Sequence, residues 1–176
     1  MTIRTADISD ADPIRQLHLK AFDDSENELV ADLASDLLAR SSTPGTLHLV
    51  ATTEDKIGGH IAFSPVWTSK DRNLAGYILA PLAVEPGAQR TGVGSRLVRE
   101  GLRRLAKQNV RLVLVYGSPD YYGRFGFTAD IAKGFTPPFE LSYPFGWQAV
   151  DLEGESSAVQ SGSIQCVDAL NKPELW

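Results

Sequence analysis

One cysteine, Cys166, occurs in 176 residues, so no intrachain disulfide can form and a thiolate metal cluster is excluded. Long apolar runs are missing too; none approaches the roughly 20 residues that a membrane-spanning helix needs. Basic residues are in deficit, 17 Lys and Arg against 22 Asp and Glu, for a formal charge of −5. Such a balance does not build a broad nucleic-acid surface, although it leaves room for a local basic patch. The three histidines, His18, His48 and His60, have no ligand spacing, and no metal is expected. The opening "MTIRTADISDADPIRQL" carries acids where a signal peptide has a basic start and an apolar run. A soluble cytoplasmic protein without nucleic-acid or membrane partners is the expectation. Repeats and low-complexity segments are absent as well.

What is present is ordinary for a globular chain: 43% apolar and 22% charged residues, at a length that suits one domain. "TIRTA" predicts a short strand. Asp10 or Ser9 is placed to cap a helix carrying Ile14, Leu17, His18, Ala21 and Phe22. After the polar "DDSEN" a second helix bears Leu29, Val30, Leu33, Leu37 and Leu38, and "SSTPG" ends it. "LHLVAT", the turn "EDK" and "IGGHIAFSPVW" predict a hairpin, with Ile57, Ile61, Phe63 and Trp67 alternating onto one face. "TSKDRN" leads to a third strand, "LAGYILAPLAV". A helix then runs to about Gln108 with the stripe Val93, Leu97, Val98, Leu102 and Leu105. "VRLVLVYG" has no alternation, so both its faces are covered. Strand, helix and strand here predict a right-handed parallel crossover. "SPDYYGRFGF" predicts a short helical turn ending in glycine. "GWQAVDL" and "SIQCVDA" predict late strands, after a loop rich in proline and aromatics. Antiparallel strands early and a parallel pair centrally indicate an α/β domain.

The stretch "GAQRTGVGSRLV", positions 87–98, joins the third strand to its helix. A helix start leaves backbone N–H groups unpaired at the positive end of its dipole. Glycines let a ligand approach the chain closely. Gly92, Gly94, Thr91 and Ser95 therefore make a phosphate cradle, to which Arg90 adds charge. The loop reads as a surface turn. It is not a Walker loop, because no Gly-Lys-Ser/Thr follows, and the third glycine of a dinucleotide fingerprint is missing. Ahead of it, Pro81 interrupts what otherwise reads as an interior strand. Proline cannot donate to a ladder, so pairing is expected to break there. The backbone of Leu82, Ala83 and Val84 is then free to face a ligand.

These residues resemble the GCN5-related N-acetyltransferase (GNAT) family. "LAVEPGAQRTGVGSRLV" is similar to its motif A, with the Gln/Arg-x-x-Gly-x-Gly/Ala signature met by Gln89, Arg90, Thr91, Gly92, Val93 and Gly94. "YYGRFGF" resembles motif B, a tyrosine four residues before Gly-Phe, met by Tyr122, Gly126 and Phe127. "GGHIAFSPV" and "SPDYYGRFGF" look like a YhbS-type subgroup of predicted acetyltransferases. The likeness runs to about Phe127. It implies a single domain over 1–176, with a family-like core at 1–133 and a C-terminal segment at 134–176 that matches no family motif. It also implies a mixed, mostly antiparallel sheet flanked by helices, whose central parallel strands splay apart. Acetyl-CoA lies in such a split, its pantetheine along Leu82–Val84 and its pyrophosphate on the N–H groups of Gln89–Ser95. Two departures stand out. "GSPD" and a short turn replace the longer helix and asparagine that many members carry before the motif B tyrosine, and the tail has no counterpart.

Acetyl transfer to an amine needs a neutral nucleophile, a donor for the oxyanion and a proton for the departing thiolate. A backbone N–H of Leu82–Val84 suits the oxyanion. Tyr122 suits the thiolate, since a phenol of pKa about 10 outlasts a thiol of about 8.5; packing beside Gly126 is the plainer role for the ring. The base is open. Glu85, at the strand end, and Glu28, in an acidic first turn, are weak candidates, and each reads equally as a solvated charge. The acidic Asp23, Asp24 and Glu26 suit a cationic acceptor. His60 reads as a packed or hydrogen-bonded core residue. The expected acceptor is a small-molecule or peptide amine, and the expected assembly a monomer or homodimer. Two rival readings remain: a non-catalytic acyl-CoA-binding sensor or partner module, and a nucleotide-binding domain using the same loop.

Overall fold

The computed structural model describes residues 1–40, 42–70, 72–153 and 161–176. Ser41 of "SSTPG" and Asp71 of "TSKDRN" lie outside the described residues. The chain divides into two compact units. One contains Met1–Phe63 and Ala80–Gly101, the other Ser64–Leu79 and Leu102–Trp176.

In the first unit β1 (Thr2–Thr5) pairs antiparallel with β2 (Leu47–Thr53), and β2 with the start of β3 (Lys56–Thr68). The end of β4 (Leu74–Val84) lies beside β3, and Glu85 N–H donates to Gly58 O at 2.9 Å. Two helices, α1 (Ala11–Ala21) and α2 (Asn27–Ala39), cover one face through Ile14, Ala34 and Val50. The other face meets α3 (Val93–Lys107): Gly59 lies under Val93 and Leu97, and Phe63 lies against Gly101. A Cβ at Gly101 would overlap the Phe63 ring, so this glycine sets how closely α3 approaches β3.

Two sequence expectations change here. Ile57 does not share a face with Phe63. The register shifts between Ala51 and Thr52, so a bulge in β3 turns Ile57 onto the α1–α2 side with Ile14, Ala34 and Val50. The cap of the first helix also differs. Asp7, not Ser9 or Asp10, accepts from the Ser9 N–H at 2.8 Å and caps a 3-10 turn over Ile8–Asp10 that leads into α1. Asp10 instead accepts from the Asp7 N–H and from both Arg4 guanidinium nitrogens, at 2.7 and 2.8 Å. That fork pins β1 to the start of α1 and holds the Asp10 carboxyl below its usual range, mainly through the Arg4 hydrogen bonds.

The second unit is built on β5 (Leu112–Tyr116), buried along almost its whole length as its unbroken apolar run predicts. The start of β4 pairs parallel with it, and β7 (Trp147–Asp151) antiparallel. On the far side β8 (Gly162–Cys166) pairs with the end of β3, and the two-residue β6 (Phe135–Thr136) with β8. Two short helices, α4 (Pro119–Tyr122) and α5 (Ala129–Ala132), complete it. The tail, unplaced by sequence, packs Trp176 against Tyr116 and Trp147, and the Trp176 indole donates to Leu170 O at 3.0 Å. Its Cys166 thiol is pushed up to about 12 by burial, which keeps it protonated near neutrality. The result is the expected α/β architecture: a mixed, mostly antiparallel sheet with a central parallel pair, β4 and β5, flanked by helices, and a second, two-residue parallel pairing of β6 with β8.

Candidate acetyl-CoA site

The parallel ladder is short. Tyr77, Ile78 and Leu79 pair with Val113, Leu114 and Val115, and the register ends there although β4 continues to Val84. At the other end Gly76 lies so close to the Leu112 backbone that a Cβ would collide with it. β4 is thus tight against β5 at Gly76 and out of the ladder after Leu79. Pro81, with no N–H to donate, follows two residues later, on a cis peptide bond after Ala80. This is the break expected from the proline in the strand.

Past the break, in the first unit, Leu82 and Val84 are half-buried and Ala83 is buried. A 3-10 turn over Pro86–Ala88 and the Gln89–Gly92 turn carry the chain into α3. The Gln89 amide donates to Val84 O at 3.2 Å, and the Thr91 hydroxyl to Ala88 O at 2.7 Å. The Gln89 side chain ties the loop to the strand end, and Thr91 tightens the turn itself. Arg90 and Gly92 both take left-handed backbone, φ 61° and 92°. A non-glycine residue there is uncommon and clusters at sites where the chain's course matters. Arg96 N–H donates to Gly92 O at 3.0 Å. The N–H groups of Val93, Gly94 and Ser95 therefore form the open first turn of α3, at the positive end of its dipole. Gly94 is buried within that turn rather than lying on a surface loop, which corrects the expectation.

Tyr122 ends α4, in the second unit. Its ring makes edge contacts with Tyr121 and Phe127, at centroid distances of 5.0 and 5.8 Å. Gly126, φ 88°, closes the turn after it, as the motif spacing predicts. Burial, and secondarily Tyr121, push the Tyr122 phenol well above its usual range. Among the described residues its hydroxyl has no hydrogen-bond partner, so the proton is held firmly and not engaged. Gly117, to which sequence reading gave no role, leaves room for the Tyr122 ring: a Cβ there would run into it.

The weak base candidates fare differently. The Glu28 carboxylate accepts from Arg15 at 2.7 Å, and Asp32 shares the same guanidinium at 3.0 Å. Glu28 is an ion-paired surface residue. Glu85 sits at the strand end with Lys20 Nζ 4.0 Å away, half-exposed. His60 is a core residue hydrogen-bonded to the other two histidines, as expected. Among the described residues no group of three or more His, Cys, Asp or Glu is placed to hold a metal ion, and no helix is long and apolar enough to cross a membrane.

A strand that leaves its parallel partner at a proline, followed by a braced turn and an open helix start, defines an α/β domain equipped to hold an anion. The acetyltransferase (GNAT) domain family matches residues 2–129, and the chain belongs to that family. It is 34% identical over 171 residues to the uncharacterized N-acetyltransferase YjhQ of Escherichia coli, covering 95% of this chain and 92% of that one. It is 37% identical over 129 residues to the uncharacterized N-acetyltransferase YhbS of the same organism, covering 72% and 73%. Among solved structures it is similar to E. coli YhbS in complex with CoA, with a TM-score of 0.79 at 29% identity over 97% and 92% of the chains. A GNAT family acetyltransferase from Brucella melitensis in complex with acetyl-CoA matches with a TM-score of 0.74 at 30% identity over 96% and 97%.

Proposed function

We propose that this protein is an acetyl-CoA-dependent N-acetyltransferase of the YhbS-like subgroup. It acts as a single domain, monomer or homodimer, in the cytoplasm, and moves an acetyl group to a primary amine of a small molecule or peptide by direct attack on the thioester. The observation that carries this reading is the braced turn at Gln89–Ser95 opening α3 just beyond the end of the β4–β5 ladder. The CoA complexes of its relatives support it. The pyrophosphate takes the N–H groups from Gln89 to Ser95 and the charge of Arg90. Pantetheine lies along Leu82, Ala83 and Val84, with a backbone N–H there for the oxyanion. Tyr122 gives its proton to the departing thiolate.

Thiol release from acetyl-CoA across a panel of primary amines tests the reaction. CoA binding without release from any amine marks a binding module instead. The cradle has its own test. Gly92 has open space at its Cβ position but a positive φ, which asparagine tolerates better than most residues. Gly92→Asn places an amide over the turn, and calorimetry is expected to show CoA affinity at least tenfold weaker, about 1.4 kcal/mol. Unchanged affinity in the folded variant reduces the loop to a turn. Gly117→Ala tests the Tyr122 position. Its methyl displaces the ring, so kcat is expected to fall at least about tenfold with CoA affinity retained, whereas equal losses in both point to general damage.

A further inference from the structure

All three histidines of the sequence meet in the core of the first unit. His18, on α1, has Nε2 2.9 Å from His60 Nδ1, on β3. His60 Nε2 is 3.2 Å from His48 Nδ1, on β2, and His48 Nε2 is 3.2 Å from Leu37 O, in the last turn of α2. Relative exposures are 0%, 0% and 5% for His18, His60 and His48. One atom has nothing: His18 Nδ1 is buried without a hydrogen-bond partner. A buried polar atom left unpaired is costly and calls for a reason.

The carbonyl decides every proton in this chain. Leu37 O only accepts, so His48 Nε2 carries a hydrogen, and a neutral His48 has a bare Nδ1. His60 must then donate from Nε2, and by the same step His18 must donate from Nε2. All three rings share one tautomer, their N–H groups all aimed toward Leu37. The unpaired His18 Nδ1 is the lone pair left at the far end.

We propose that His18, His60 and His48 act as one shared base, which receives a proton at His18 Nδ1 and holds the charge on His48. The proposal rests on the acetyl-transfer reading and supplies the base that reading lacks. β3 places the chain next to the cofactor strand: Gly58 O takes the Glu85 N–H, Gly59 lies near Ala83 O, and His60 follows on the opposite face. The charge settles on His48 because Leu37 O and the negative end of α2 favour a cation there. His48 also lines a cavity of about 330 Å³, together with Asp7 and Arg40. Burial lowers all three histidines, with His18 and His48 both acting on His60, so the chain is empty near neutrality. Nearby charges are engaged elsewhere: Arg4 with Asp10, Arg15 with Glu28 and Asp32, Lys20 beside Glu85.

Such a base is too weak to strip a free ammonium. It suits the tetrahedral adduct, whose nitrogen is far more acidic. The adduct N–H bond breaks and an Nδ1–H bond forms on His18. The His18 Nε2 proton passes to His60 Nδ1, and the His60 Nε2 proton to His48 Nδ1. The oxyanion pair re-forms the carbonyl, the C–S bond breaks, and sulfur takes the Tyr122 proton. The reverse hops after product departure return the relay proton to solvent through His18, and the Tyr122 phenolate takes a proton back from solvent, which closes the cycle. Phe22, stacked flat on His18 at 5.9 Å and 11°, has to swing aside for entry.

Imidazole nitrogen NMR of the labelled wild-type protein reads tautomer and charge directly. The expected result is three Nε2–H rings near neutral pH and, on acidification, a first imidazolium at His48. An Nδ1–H ring in the neutral state near pH 7, or a first imidazolium at His18, overturns the relay. Kinetics with acetyl-CoA and hydroxylamine, a nucleophile small enough for any acceptor site, add a second arm. His48→Gln retains a donor for Leu37 O and an acceptor for His60 but cannot hold a proton. Its kcat is expected to fall at least about tenfold with CoA affinity unchanged; full kcat in the folded variant overturns the catalytic role. Absence of hydroxylamine-dependent thiol release from the wild type counts against acetyl transfer itself, while the NMR titration still decides the relay.

Discussion

Acidification from pH 6.5 to pH 4 is expected to remove several kcal/mol of folding stability, much of it before the carboxylates begin to titrate. Burial pulls both His18 and His48 from 6.5 down to about 4. Between those values the unfolded chain binds protons that the folded chain refuses, so stability falls as pH falls. Each pKa unit corresponds to about 1.4 kcal/mol, so each ring accounts for about 3 kcal/mol once pH reaches 4. The two shifts are not independent, because both rings bond to His60, and the sum is an upper bound. Even one such loss is a large part of the roughly 5–15 kcal/mol of a typical domain. The Arg4–Asp10 pair adds a loss only lower down, as Asp10 is protonated below the ordinary carboxylate range. Urea unfolding at steps between pH 7.5 and 4 checks this. A flat stability over that range would falsify the neutral, buried state of the three rings.

This cluster shows what the sequence does not disclose. His18 lies on a helix, His48 and His60 on two strands, and no spacing rule links positions 18, 48 and 60. Their meeting follows from antiparallel register, Val50 opposite His60, and from α1 crossing over that face, both of which are long-range facts. The motif A turn was legible for the opposite reason. Its glycines, its hydroxyls and the proline before it act locally, through backbone conformation, and so are written in consecutive residues. Ile57 failed in between. Alternation along β3 places it with Phe63, but the register skips Gly58 opposite Ala51 and Thr52 and slips the phase by one; the glycine pair Gly58–Gly59 was the local signal of that bulge. Gly117 was overlooked because a glycine after a strand reads as a turn. Its requirement comes from the Tyr122 ring, five residues on and folded back against it.

Tyr122→Phe is expected to lower kcat by about 10–100-fold while leaving the CoA dissociation constant nearly unchanged. Phenylalanine retains the ring and its edge contacts with Tyr121 and Phe127, so packing is preserved. Only the hydroxyl goes, and among the described residues no hydrogen bond is lost with it. A CoA thiolate is a fair leaving group, which places the effect at the low end of general-acid assistance. The pH dependence separates this role from a packing role. Burial raises the Tyr122 phenol well above its ordinary value near 10, so the wild type retains its proton through that range. The gap between wild type and variant should therefore persist past pH 10 and close only beyond it, as the phenol ionises and stops donating. Single-turnover rates against pH for both proteins, with saturating acetyl-CoA, make the measurement. A gap that closes near pH 8 assigns the proton to another group. Equal rates at pH 7, with chemistry limiting, leave Tyr122 as a wall of aromatic packing and nothing more.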